Sequence, residues 1–284
     1  LELFDLKFPS PLIAASFKSE PEILKIWLQM GLGGVMYKTI MKTPRNGNSR
    51  PRIQDVSING EKGIYNALGL PGPGIKRFIK DLSNLDIWEY NRPIGISIGG
   101  DTSSEYIENI SFIENNINSM NYSYFFELNI SCPNTKNGLT IGDNIADLES
   151  ILIAIRTRIN VPISNKISPD LSDVEINNIA ELSQQFEKIM INAGNTQYKR
   201  PKDVGVNPKY FSMEGGGLSG PGIFNRTIEM VQLLSKFNLP IIATGGISKI
   251  EHILELRDAG ASIFGMATSL VLDPYCIPKI NYKL

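Results

Sequence analysis

The sequence predicts an α/β protein, a (β/α)8 TIM barrel with β-hairpin or irregular insertions at the carboxyl ends of its strands. Short β-branched or apolar runs alternate with helical patterns along the whole length. Eight such strand–helix units can be counted. A chain of 284 residues, 42% of them hydrophobic, fills one large core without forcing a split. One domain over 1–284 is therefore expected. An open doubly wound sheet is the alternative arrangement of the same elements.

The expected strands are Pro11–Ala15, Gly34–Lys38, Pro93–Ile98, Phe125–Ile130, Pro162–Ile167, Lys188–Asn192, Pro240–Thr244 and Ser262–Met266. Continuous apolar runs of this length suit parallel strands buried on both faces. After the first strand, Ser19-x-x-Glu22 reads as a capping box, Pro21 sits in the first turn and Gly31 ends the helix. Ser248-x-x-Glu251 repeats the device, with Gly260 as the stop. Residues 43–72 and 196–221 are too long and irregular for plain loops, and excursions at barrel strand ends are where binding is built.

Charge and cysteine content exclude several functions. With 28 basic and 29 acidic side chains, the net charge of −1 offers nothing to nucleic acid or an anionic membrane. No apolar run is long enough to cross a bilayer, and no signal-peptide pattern stands at Leu1, so a cytoplasmic location is expected. Two cysteines, Cys132 and Cys276, and one histidine, His252, cannot furnish a disulfide framework, a four-thiolate zinc site or an iron–sulfur cluster. No metal site is expected.

Four groups of residues can carry chemistry. Asn129-Ile130-Ser131-Cys132-Pro133-Asn134 follows an apolar strand and places one thiol between two carboxamides. A buried thiol is commonly only a small hydrophobe, but packing gives no reason for one in a polar loop, where a thiolate can serve as a base. Glycines at Gly215–Gly220 and Gly245-Gly246, followed by Ala267-Thr268, lie in successive late βα loops, the usual phosphate site of a barrel. Lys38 and Lys166 end apolar strands, where a cation is costly unless it faces an anion. Asn66, Asn129, Asn134 and Asn195 offer donors and acceptors suited to a neutral ring made of amides.

Together these residues resemble the dihydroorotate dehydrogenase family. The resemblance is carried by Tyr37-Lys38-Thr39, Arg45-x-Gly47-Asn48-x-x-Pro51-Arg52, Asn66-x-x-Gly69-Leu70-Pro71 and Asn129-x-Ser131-Cys132-Pro133-Asn134. Lys166, Asn192-x-x-Asn195-Thr196, Gly216-Gly217-Leu218-Ser219-Gly220 and Thr244-Gly245-Gly246-Ile247 extend it over nearly the whole chain. The resemblance implies FMN-dependent oxidation of dihydroorotate to orotate in pyrimidine (UMP) biosynthesis. Cys132 would remove the C5 proton while a hydride leaves C6 for flavin N5. A cysteine base marks the soluble class 1 members, whereas the membrane-linked class 2 uses serine.

By the same resemblance, Lys38, Asn66, Gly69, Leu70, Asn129, Asn134, Asn195 and Thr196 would hold the substrate. Ala15, Ser16, Lys38, Thr39, Asn129, Lys166, Asn192, Gly220, Gly245, Gly246, Ala267 and Thr268 would hold FMN, with Lys166 at the N1/O2 edge of the ring. Pro133–Gly142 would act as a lid. Asn192-x-x-Asn195 resembles the homodimeric 1A type, which reduces fumarate. Gly217-Leu218-Ser219-Gly220-Pro221 resembles the 1B type, which reaches NAD through a separate iron–sulfur flavoprotein subunit. A stand-alone homodimer of the 1A type is the expectation.

The chain departs from the family pattern at Phe17, where glycine is usual, at Ala267, which replaces a glycine, and in a short tail broken by Pro274 and Pro278. Competing readings are a dihydropyrimidine dehydrogenase-like barrel, a dihydrouridine synthase and a non-catalytic flavin-binding barrel. The first typically has histidine where Asn134 stands, the second wants a basic surface, and the third has no need of Cys132.

Overall fold

Eight parallel strands close into a barrel in chain order: β1 (Leu12–Lys18), β2 (Gly34–Ile40), β3 (Ile94–Ile98), β4 (Tyr124–Asn129), β5 (Ile163–Ile167), β6 (Ile189–Ala193), β7 (Ile241–Thr244) and β8 (Ile263–Met266). The register Phe264↔Leu12 to Met266↔Ala14 joins β8 to β1 and completes the ring. The computed structural model describes residues 1–82, 86–117, 119–130 and 144–284. Every expected strand is present, with ends shifted by a residue or more, and β1 runs on to Lys18. The closed ring excludes the open sheet.

The helices form the outer layer: α1 (Pro21–Gln29), α2 (Ile75–Leu82), α3 (Ser103–Ile117), α4 (Ile145–Arg156), α5 (Asp173–Ser183), α6 (Phe224–Leu234), α7 (Ile250–Ala259), α8 (Thr268–Leu272) and α9 (Cys276–Asn281). None of the described helices is long and apolar enough to cross a membrane. Pro274 separates α8 from α9, so the last unit closes with two short helices, as the prolines foretold. Pro278 is accommodated near the start of α9, where a missing N–H costs no helical bond.

The two capping expectations fail. At α1 the N-cap is Glu20, whose carboxylate accepts from the Ser19 N–H at 3.0 Å, and no side chain caps the helix. At α7 the N-cap is Lys249, and the Ser248 N–H donates to Nδ1 of His252 at 3.3 Å. In both places the helix begins one residue after the capping pattern requires, so the serine side chain cannot reach an orphan N–H. A true capping box stands unannounced at α5, where Ser172 and Glu175 bond reciprocally. Pro21 does occupy the first turn of α1, and Gly260 ends α7 in the left-handed region at φ 118°.

The barrel interior is layered by the two-residue period of its strands. Ile13, Met36, Phe125, Met190, Ile242 and Ile263 form a buried apolar cluster with Leu6 and Phe8. Leu6 belongs to a small hairpin (Glu2–Leu3, Leu6–Lys7) whose turn residues Phe4 and Asp5 both take positive φ, as a two-residue hairpin requires. Two residues further along the same strand faces, the lining turns polar: Glu127 follows Phe125, Asn192 follows Met190 and Thr244 follows Ile242. One end of the barrel is therefore plugged with hydrocarbon, and the carboxyl end is floored with buried polar groups.

The two excursions are parts of one element. Residues Ile53–Ile58 and Glu61–Asn66 form a hairpin, and Gly216–Ser219 pairs with Glu61–Asn66 on one side and Gln197–Lys199 on the other. This four-stranded antiparallel sheet has its own core of Val56, Tyr65, Val204, Phe211, Leu218 and Ile223. With Tyr65 turned into that core, Lys62, Ile64 and Asn66 take the opposite face, which lines the cavity described below.

Candidate active site

A cavity of about 1530 Å³ opens at the carboxyl ends of the strands, under the four-stranded sheet. It exceeds the ~300–1,000 Å³ of an ordinary small-molecule pocket and has room for a nucleotide-sized cofactor beside a second small molecule. Sequence spacing alone would put successive residues of a strand on opposite faces, yet Ala15 and Ser16 both line it, as do Lys38 and Thr39. Two breaks in the ladder account for this. Register shifts between Ala14 and Lys18 in β1, and between Tyr37 and Ile40 in β2. A bulge re-aims the side chains it carries, and both bulges fall on the expected cofactor residues.

The floor is a buried network. Glu127 of β4 is fully buried and accepts from Ser16 Oγ at 2.7 Å and from Asn192 Nδ2 at 2.7 Å. Lys166 of β5, 5% exposed, donates from Nζ to Ser16 Oγ at 3.1 Å. Beside it, Asn129 Nδ2 donates to Thr39 Oγ1 at 2.9 Å, and Thr39 shares a 2.9 Å hydrogen bond with Ser97. Tyr106 holds the Asn129 carbonyl from below at 2.8 Å. Ser16, Thr39, Asn129 and Lys166 face the cavity; Asn192 does not, lying behind the wall with its Oδ1 lacking a hydrogen bond. β6 turns the Asn192 Nδ2 towards Glu127.

One wall is a cradle for an anion. Gly220, Gly245, Gly246, Ala267 and Thr268 all line it. Gly245 and Gly246 hold φ of 140° and 73°, and a Cβ on them would stand 2.5 Å from Thr227 Oγ1 and 2.6 Å from Phe224 Cβ. Only glycine fits there, and a turn without side chains lets an anion approach its backbone beside the start of α7. Ala267 holds a negative φ of −137°, outside the left-handed region that calls for glycine. Thr268 Oγ1 donates to Ser219 Oγ at 2.8 Å and Ser219 to the Ile64 carbonyl at 3.0 Å, tying the cradle to the insertion sheet.

A further part of the lining carries amides and a lysine. Lys38, Asn66, Gly69, Leu70, Asn195 and Thr196 line it. Burial pushes the Lys38 ammonium below the ordinary lysine range; Glu20 opposes the shift, while Arg52 and Lys18 reinforce it. Such a cation gains from any anion brought against it. Leu70 holds a positive φ of 50°, a strain of about 1 kcal/mol kept by its loop. That loop is closed by Arg45 and Gly72, whose backbones exchange two 2.9 Å hydrogen bonds, and Arg45 also pairs with Asp101. Phe17 lines the cavity too, its ring 5.5 Å from that of Trp27.

Cys132 and Asn134, and the stretch Pro133–Gly142, lie outside the described residues. The residue missed by sequence reasoning is Glu127. Its signal was present: a carboxylate inside the apolar run Phe125–Leu128, on the same strand face as Asn129.

A glycine-lined turn, a buried lysine floor and amide-bearing lining residues give the barrel a large polar cavity at the carboxyl ends of its strands. The family model for dihydroorotate dehydrogenase matches residues 1–284, and the chain belongs to that family of oxidoreductases. A relative from Pyrococcus furiosus, named dihydroorotate dehydrogenase B (NAD(+)), catalytic subunit, is 31% identical over 98% of this chain and 89% of its own. One of the same name from Listeria welshimeri is 30% identical over 100% of this chain and 91% of its own. The crystal structure of dihydroorotate dehydrogenase (DHODH) in complex with ferulenol from Eimeria tenella superposes with a TM-score of 0.83 at 23% identity. It covers 99% of this chain and 82% of that one, and bears on the fold.

Proposed function

We propose that the protein oxidises dihydroorotate to orotate in pyrimidine synthesis, with FMN in the cavity and NAD as the final acceptor through a separate iron–sulfur flavoprotein subunit. The observation that carries this reading is one cavity joining the Lys38–Asn66–Asn195–Thr196 wall to the glycine cradle across the Lys166 floor. The cradle suits the FMN phosphate by the close backbone approach its glycines allow, and Lys166 suits the electron-rich edge of the ring. When bound, FMN supplies the two-electron oxidising chemistry that no side chain can.

The chain's own residues do the rest. Lys38 takes the substrate carboxylate, and the asparagines and Thr196 hold the ring amides, orienting C5 and C6. Cys132, which follows β4 within a few residues, would take the C5 proton, and bound FMN would be the acceptor for the C6 hydride, so that the C=C bond of orotate forms. The NAD acceptor is favoured over fumarate by the names of the relatives, and a homodimer of this chain is the assembly proposed.

The test is the visible spectrum of the purified protein, anaerobic, before and after dihydroorotate. A yellow band that bleaches supports cofactor and substrate together. A yellow band indifferent to dihydroorotate moves the substrate to another dihydropyrimidine. Cys132→Ala should keep the band and lose the bleaching; unchanged turnover would remove Cys132 as the base.

A further inference from the structure

We propose that Glu127 is a positioning residue, acting on the cavity through Ser16 and Lys166. The inference rests on the flavin reading above and adds to it a residue that never meets the cofactor.

A carboxylate in a fully buried strand position is rare unless its oxygens are paired. Glu127 is 0% exposed and each of its oxygens is met by one donor, Ser16 Oγ at 2.7 Å and Asn192 Nδ2 at 2.7 Å. Neither donor is a cation, and Lys166 Nζ contacts Ser16 Oγ at 3.1 Å instead. The arrangement therefore has a direction. A carboxylate only accepts and an ammonium only donates. Ser16 has one proton, which it gives to Glu127, so its lone pairs are turned towards Lys166.

Two consequences follow. Lys166 is held by a single hydrogen bond among the described residues, and its remaining N–H donors are left for the cavity that it lines. The Asn192 amide is oriented the same way: because Glu127 takes its Nδ2, its Oδ1 must face elsewhere, and that oxygen has no partner. One buried carboxylate thus sets the donor–acceptor polarity of the floor. Replacing it with an amide removes that constraint, since glutamine can donate to Ser16 and turn the hydroxyl proton towards the lysine. The bulge between Ala14 and Lys18 brings Ser16 into the line between strands β4 and β5, so the relay depends on tertiary geometry.

The experiment is a double-mutant cycle on the affinities of oxidised and reduced FMN. Ser16→Ala and Glu127→Gln are each compared with wild type, then repeated in a Lys166→Met background, with folding checked by thermal unfolding. Each single substitution should weaken the negatively charged reduced form about tenfold more than the oxidised form, lowering the potential by about 30 mV. In the Lys166→Met background the same substitutions should change the ratio less than about twofold. Equal effects in both backgrounds would overturn the relay, because Glu127 would then act on packing alone. A rise in potential on Glu127→Gln would also overturn it, showing that the carboxylate acts by its own charge. Should Glu127→Gln not fold, Ser16→Ala, which keeps both charges, decides the matter by itself. A folded wild type that takes up no FMN would fail the flavin reading, and this inference with it, before any variant is compared.

Discussion

Asn66 and Gly217 face each other across an antiparallel ladder, and Asn66 Nδ2 donates to the Gly217 carbonyl at 3.4 Å. That pair joins two excursions far apart in sequence into the sheet above the cavity. A Cβ on Gly217 would stand 2.0 Å from Thr196 Oγ1 and 2.4 Å from Thr196 Cβ. Gly217→Ala should therefore cost about 1–3 kcal/mol of stability and displace two substrate-wall residues at once. Orotate affinity is expected to fall, with FMN affinity little changed. Calorimetric titration of each ligand checks it; equal losses of both would mean that the sheet also holds the cofactor.

Lys38 makes orotate binding sensitive to alkali. Its ammonium titrates below the ordinary lysine range because it is buried. Below that lowered value the cation is in place for a carboxylate; above it the amine is neutral and binding must take up a proton. Affinity should fall roughly tenfold per pH unit beyond it. Lys38→Met should bind weakly and without this slope. A wild-type affinity that stays flat beyond the ordinary lysine pKa of about 10.4 would exclude Lys38 from the carboxylate.

His252 gives the fold an acid limit. The ring is buried, stacks on Phe224 with centroids 4.0 Å apart, and accepts from the Ser248 N–H. Burial, then Lys249, pushes its pKa below the usual histidine value, against the pull of Glu61, Glu255 and Glu251. The folded state thus prefers the neutral ring. Its contribution is complete above the unfolded pKa of about 6.5 and is lost as pH falls from there towards the lowered folded value. Urea unfolding at pH 7.5, 6.5 and 5.5 should show this slope, and His252→Phe should flatten it.

Arg52 is expected to act through the backbone of its neighbours. Its Nη1 donates to the Asn46 and Asn48 carbonyls at 2.8 and 2.6 Å and approaches Leu68 O at 3.4 Å. These bonds hold the loop that presents Gly69 and Leu70. Arg52→Ala should expose the Asn48 N–H, now bonded to Leu68 O, to faster hydrogen exchange and raise the KM for dihydroorotate. If KM rises with no change in exchange, Arg52 works by charge and the loop argument is wrong.

Much of this was legible in the sequence. The eight strands were, because buried parallel strands leave unbroken apolar runs such as Phe125-Phe126 and Ile241-Ile242. So was the glycine turn before α7, because Gly245 and Gly246 occupy conformations that other residues rarely take. The cap positions were not: a serine three residues before a glutamate looks the same whether the helix starts at Pro21 or one residue earlier.

What the sequence by itself determined is the set of local necessities: which runs must be buried, where the chain can turn, and which side chains are too polar for their strand. What only the tertiary structure decided is who meets whom. Residues 43–72 and 196–221 each look irregular alone because each forms only two strands of the sheet, and the ladder between Glu61–Asn66 and Gly216–Ser219 joins them. Ser16 reaches Glu127 and Lys166 only because a register shift breaks the two-residue alternation of β1. Long-range pairing and bulges are set by the closure of the whole barrel, and no local pattern encodes them.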